Sequence, residues 1–186
     1  MKEFFKLFQK YSPTQKGAED VFLHTTITLQ IAKQIVSENK LSLNWDIAEK
    51  GILLHDIGVF ECEKVYGPRV VKPYIQHAFL GAMILRAEGF SEAIIRMVER
   101  HIGLGISKKE IEDHNYPLPH LDFIPETLEE KILCYADKFH SKDKGFVTFE
   151  KREQQYQKFG KGPLTRLYNF KKEFRIPNLQ RIIEKV

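Results

Sequence analysis

Apolar residues recur along this chain at intervals of three and four, the spacing that gathers them on one face of a helix. No run of five or more residues alternates apolar and polar between hairpin turns, so the fold class expected is all-α. Phe4, Phe5, Leu7, Phe8 and Tyr11 make the first such face, which should pack on the domain rather than dip into a membrane surface. After Ser12-Pro13 a long helix is predicted over about residues 14–38, with Val21, Ile27, Ile31 and Ile35 inward. Asn44 offers a cap for a helix through Trp45, Ile47, Ala48, Ile52 and Leu53 that should end near Gly58. Residues 59–73 hold Gly67, Pro68 and Pro73 and read as a loop. Helices follow over roughly 74–88, stopped by Gly89, and from Ser91 as cap through Arg100, broken at Gly103 and Gly105. Ser107 and Glu110 have the capping-box spacing of a short helix, and residues 113–125, with three prolines, form a loop. A further helix is expected over 126–139, and residues 146–186 read as two or three amphipathic helices divided at 160–163 and at Pro177.

At 186 residues the chain fits one domain at the usual ~100–200 residues each. The motifs below fall within 17–145, which leaves 146–186 as a helical extension. A content of 42% hydrophobic and 29% charged residues excludes a disordered chain. Lys and Arg exceed Asp and Glu by 29 to 25, a net charge of +4 that would help attract a phosphorylated ligand but does not argue for a nucleic-acid polymer. Two cysteines build no disulfide framework and suit a reducing, cytoplasmic setting. No apolar run approaches the ~18 residues of a membrane helix, and the first ten residues are too charged for a signal peptide, so no membrane partner is expected.

The chemistry lies in the histidines. His114 and His120 fall in the proline-rich loop and His140 follows a helix, whereas His24 sits inside the long helix, His55 with Asp56 ends the next, His77 opens one and His101 closes another. Asp137 lies within the predicted helix 126–139. The neighbours are apolar, as in Gly51-Ile52-Leu53-Leu54-His55-Asp56-Ile57-Gly58 and Ile132-Leu133-Cys134-Tyr135-Ala136-Asp137. A carboxylate or a run of imidazoles is costly to bury without partners, and metal ions remove that cost for all of them together. Four imidazoles and two carboxylates suit manganese, iron or zinc, whereas magnesium and calcium take more oxygen ligands. Taken singly, each residue could equally be a capped helix end or a satisfied polar group.

Their order is more specific. His24, then His55-Asp56 thirty-one residues on, then Asp137 resembles the H…HD…D signature of the HD superfamily of metal-dependent phosphohydrolases, with His55-Asp56-Ile57-Gly58 as the HDIG form of its central motif. His77 and His101 match the extra ligands of the subset with two metals. The resemblance implies an HD-domain helical bundle across 1–186. It implies one ion held by His24, His55, Asp56 and Asp137, a second held by His77 and His101, and Asp56 bridging them. A bridging water would attack a phosphate ester or anhydride, which makes Asp56 and His55 the central catalytic pair and a small phosphorylated molecule, a nucleotide above all, the expected substrate. Members that hydrolyse cyclic dinucleotides carry a lysine directly after HDIG and a GYP motif; here Val59 follows Gly58 and no such motif appears. His77 and His101 speak against the single-metal deoxynucleotidases. The arrangement is closer to small stand-alone HDIG proteins and to those that cleave diadenosine tetraphosphate.

Two alternatives share this ligand pattern: an HD-fold oxygenase with mixed-valent di-iron, and a non-catalytic regulatory domain that binds metal or nucleotide. For the phosphate, Arg69 and Lys72 in the loop after HDIG, and Lys138, Lys142 and Lys144 around and beyond Asp137, are the candidate cations, Arg69 foremost because its guanidinium can grip phosphate with two hydrogen bonds. Asp20, one turn before His24, is a candidate to orient that imidazole.

Overall fold

A computed structural model describes residues 1–62 and 72–184. Its backbone is α1 (Lys2–Tyr11), α2 (Gln15–Glu38), α3 (Trp45–Leu54), α4 (His77–Ala87), α5 (Glu92–Glu99), α6 (Lys108–Asp113), α7 (Leu128–Ala136), α8 (Phe149–Gln157), α9 (Lys161–Phe174) and α10 (Gln180–Ile183). The 24-residue α2 starts where the Thr14 side chain accepts from the Gly17 amide, and it is the axis against which α1, α3, α7 and α10 pack. Its inward stripe, Val21, Ile27, Ile31 and Ile35, is buried as the periodicity requires.

Two apolar clusters flank this axis. One joins α2 and α3 to α7 and the C-terminal helices through Ile31, Ile52, Leu133, Tyr135, Phe170 and Phe174. The other joins α1, α4 and α5 through Phe8, Leu54, Ile57, Leu85 and Val98. Phe8 meets the rings of Phe22 and Phe60 edge-on, so the N-terminal apolar face does pack on the domain. Among the described residues no helix is long and apolar enough to cross a membrane.

Several helices are shorter than their periodicity suggests. α3 gives way at His55 to a 3₁₀ turn over Ile57–Glu61, and α7 to another over Asp137–Phe139, because at each junction the chain leaves the helical path to aim polar side chains inward. The helix expected from residue 74 opens with a 3₁₀ turn, Tyr74–Gln76, before α4 begins at His77. Asn44 and Ser91 stand at the capping positions without a side-chain cap, whereas Ser107 and Glu110 do form the capping box. Pro163 sits inside the first turn of α9 instead of ending a helix, and Gly160, at φ +97°, turns the chain into it. One short antiparallel ribbon, His140–Ser141 with Gly145–Phe146, departs from a wholly helical chain; two-residue strands are too short to leave an alternating pattern.

Candidate metal centre

His24 projects from the middle of α2, and the other candidates sit at helix ends: His55 and Asp56 after α3, His77 at the start of α4, His101 after α5 and Asp137 after α7. The helix ends orient the imidazoles. His55 Nδ1 donates to the Ile52 carbonyl at 2.7 Å, His77 Nδ1 to Tyr74 at 2.6 Å and His101 Nδ1 to Val98 at 2.6 Å. Each acceptor lies three residues back in the chain. A carbonyl can only accept, so in all three rings Nδ1 carries a proton and Nε2 is the nitrogen turned inward.

Asp56 stands between two groups of imidazole Nε2 atoms. Its Oδ2 is 3.2 Å from His24 Nε2 and 3.3 Å from His55 Nε2, and its Oδ1 is 3.4 Å from His77 Nε2 and 3.6 Å from His101 Nε2. Asp137 Oδ1 closes the first group, 3.0 Å from His24 Nε2 and 3.4 Å from His55 Nε2. Burial alone would push both carboxyls up, but Lys142 and His55 beside Asp56, and Lys138 and His24 beside Asp137, hold them well below the usual range. Both are therefore anionic.

The side chains fit metal ions on two counts. His77 Nε2 and His101 Nε2 are 2.9 Å apart, two lone pairs that face each other unless a cation lies between them. Burial, with His101 adding to it, lowers His77 to about 3, and burial lowers His101 as well, so that cation is not a proton at neutral pH. His55 Nε2 is fully buried and makes no hydrogen bond among the described residues. His24, His55 and Asp137 converge closely enough to hold one ion, and so do His55, Asp56 and His101.

A cavity of about 770 Å³ opens onto this centre, with Lys138, Lys142, Tyr74 and His140 in its wall. Lys142 Nζ is paired with Asp56 Oδ2, and Lys138 Nζ lies 2.6 Å from Asp137 Oδ2. The other expected phosphate groups fare differently. Lys72 and Lys144 are exposed and do not line the cavity, and Arg69 lies outside the described residues. Asp20 lines the cavity but pairs with Lys16 at 3.0 Å; the partner of His24 is instead His140, whose Nδ1 is 2.8 Å from His24 Nδ1 with the rings stacked. With a metal held at His24 Nε2, its Nδ1 would donate and His140 would accept. His140 was visible in the sequence three residues after Asp137, but only the ribbon turns it back onto α2.

A model of the HD domain matches residues 21–142. The chain belongs to the HD domain family. A tRNA (cytidine(56)-2'-O)-methyltransferase of Thermoplasma volcanium is 35% identical over 129 residues, 69% of this chain but 34% of that protein, so the HD chain spans about a third of this relative. An uncharacterized protein of Methanocaldococcus jannaschii is 35% identical over 123 residues, 64% of this chain and 66% of its own length. In fold, the HD chain is similar to the HD domain of the L. monocytogenes phosphodiesterase PgpH, with a TM-score of 0.54 and 16% identity over 97% of this chain and 91% of that one. The PgpH domain has also been solved in complex with cyclic-di-AMP.

Proposed function

We propose that this HD chain, read as one domain over 1–186, is a metal-dependent phosphohydrolase that cleaves a small phosphate ester or anhydride, a nucleotide in particular, at a two-metal centre. The observation that carries this reading is the Asp56 carboxylate, whose two oxygens address separate groups of inward-facing imidazoles. On this reading His24, His55, Asp56 and Asp137 hold one ion, and His77, His101 and Asp56 the other, with manganese, iron or zinc as the metals that suit imidazole. Such ions, when bound, supply Lewis acidity and bring the pKa of water down to about 7.

The protein's own part is positioning and charge. Asp56, held anionic, shares its oxygens between the two ligand groups, and the His55 ring is fixed from behind by Ile52. Lys138 and Lys142 bring two ammonium groups to the cavity wall, where phosphate oxygens can take them up from the carboxylates they now pair with. The cavity volume falls in the ~300–1,000 Å³ range of small-molecule sites, which favours a nucleotide over a nucleic-acid polymer. PgpH with cyclic-di-AMP offers a nucleotide precedent on the same fold. A cytoplasmic setting is part of the same reading.

The test is elemental analysis followed by turnover without oxygen. Protein reconstituted with manganese should hold close to two ions per chain, fall to one in His77→Ala, and release phosphate or a nucleoside monophosphate anaerobically from a panel of nucleotides. One ion in the wild type defeats the two-metal assignment. Turnover only with iron and molecular oxygen makes the chain an oxygenase, and two bound ions with no turnover make it a binding domain.

A further inference from the structure

The HD family match ends at residue 142, and the chain beyond it completes the cavity with one cation of unusual standing. Four Lys and Arg side chains line the cavity among the described residues, and three have carboxylate partners: Lys142 with Asp56, Lys138 with Asp137, and Arg166 with Glu110 at 2.7 Å. Arg152, on α8, is the fourth. Its Nε donates to the Lys138 carbonyl, its Nη1 to Gln155 Oε1 at 2.8 Å and its Nη2 to the His140 carbonyl at 3.5 Å. All three acceptors are neutral. A half-buried guanidinium with no carboxylate partner among the described residues is costly to hold, and an anion in the cavity offsets that cost.

The geometry favours phosphate. Of the five N–H groups of a guanidinium, three are used in fastening the head to the backbone on either side of Phe139 and to Gln155, which leaves two for a ligand. A head fastened in this way loses little freedom on binding, and its flat fork matches two oxygens of one phosphate. That phosphate need not be the one at the metal centre. Two divalent ions with Lys138 and Lys142, set against Asp56 and Asp137, already outweigh the charge of a single phosphate group.

We propose that Arg152 binds a second phosphate of the substrate, linked to the one at the metal centre, so that the site takes a nucleotide with two joined phosphates in preference to a monophosphate. This rests on the phosphohydrolase reading for the first phosphate. The test is calorimetric titration of the manganese-loaded full chain with AMP and with α,β-methylene-ADP, which carry the same nucleoside and differ in the second phosphate, the P–C–P link resisting cleavage. Wild type should bind the diphosphate analogue at least about tenfold more tightly, Arg152→Gln should shrink that ratio to about twofold or less, and Arg152→Lys should restore part of it. In wild-type protein, labelling of Arg152 by phenylglyoxal should be slowed by the analogue and not by AMP, a readout that needs no variant to fold. Equal binding of the two nucleotides by wild type, an unchanged ratio in Arg152→Gln, or labelling that the analogue leaves unprotected overturns the Arg152 assignment, even where phosphate release upholds the hydrolase. No turnover of any phosphate substrate, with the ratio intact and lost in Arg152→Gln, upholds the Arg152 site and overturns the hydrolase instead.

Discussion

On one side of Asp56, His24 and His55 face Oδ2 and Asp137 closes the group; on the other, among the described residues, His77 and His101 face Oδ1. The first half counts four donors, is built on α2, α3 and the turn after α7, and is backed by the main core. The second counts three and rests on α4 and α5, and both halves line the cavity. A site with four protein ligands is closed in the manner of a structural metal, whereas one with three keeps a position for water or substrate. On the proposed two-metal reading, the four-donor half would be closed and fix the centre, and the three-donor half would be open to water or phosphate, while both halves line the cavity.

The harshest way to break the comparison is to remove what the halves share. Asp56→Ala should leave less than about a tenth of wild-type turnover and cost metal on both sides, because its two oxygens face the two groups. Elemental analysis and phosphate release on the same preparation check it. If that variant fails to fold, Asp56→Asn keeps the volume and carries the test. Turnover above that level with both ions retained removes Asp56 as the bridge.

A milder break reaches the open half from behind. Gly58, the glycine of the HDIG motif, lies so close to α4 that a Cβ there would be 2.1 Å from the His77 carbonyl oxygen and 2.3 Å from the Gly81 amide nitrogen. Backbone must move to admit it, and the backbone that moves carries His77. Gly58→Ala should cost about 1–3 kcal/mol of stability and loosen the ion of the open half more than that of the closed one. Thermal unfolding and metal titration report the two effects separately, and equal loss at both ions would show that the halves are not independently scaffolded.

This glycine also marks what the sequence makes legible. His24, His55-Asp56, His77, His101 and Asp137 can be read in order because each sits on or beside a strongly periodic helix, and helix ends place side chains predictably. Why the motif ends in glycine needs the partner helix, which local pattern does not contain. His140 and Arg152 escape for the same reason, since a two-residue ribbon and the docking of α8 bring them to the centre from beyond the periodic signal. Basic residues near a motif are a weaker guide: Lys138 and Lys142 reach the cavity and Lys72 and Lys144 do not, a division set by where the backbone carries each side chain rather than by charge.

The closed half has its own soft point in His140. His140→Phe keeps a flat ring against His24 but removes the hydrogen-bond partner of His24 Nδ1. Losing such a support typically costs ~10–100-fold in metal affinity, and the loss should fall on the closed half while His77 and His101 keep their ion. Metal titration with the variant shows it, and unchanged affinity would leave His140 as packing alone.

The smallest effect is the subtlest contrast, because in metal-free protein the buried histidines titrate in opposite senses. Burial, with His101, lowers His77 to about 3, and burial, with His24, lowers His140 to about 4, whereas in His55 burial is outweighed by the charges of Asp56 and Asp137, which lift it to about 9. Unfolded histidines titrate near 6.5. Between about 9 and 6.5 the folded chain holds more protons at His55, so its contribution is fully present below 6.5 and is lost as pH rises through 9. Between 6.5 and about 3–4 the folded chain holds fewer at His77 and His140, so their contribution is present above 6.5 and is lost as pH falls. The melting temperature of the metal-free protein should therefore peak near pH 6.5 and decline on both sides. Loading with manganese or zinc should abolish the alkaline decline, because a ligand imidazole is bound in its neutral form and higher pH then favours the folded state. Scanning calorimetry at pH 5, 6.5 and 9, with and without metal, makes the comparison; an alkaline decline that survives metal loading would mean that His55 keeps its proton and is no ligand.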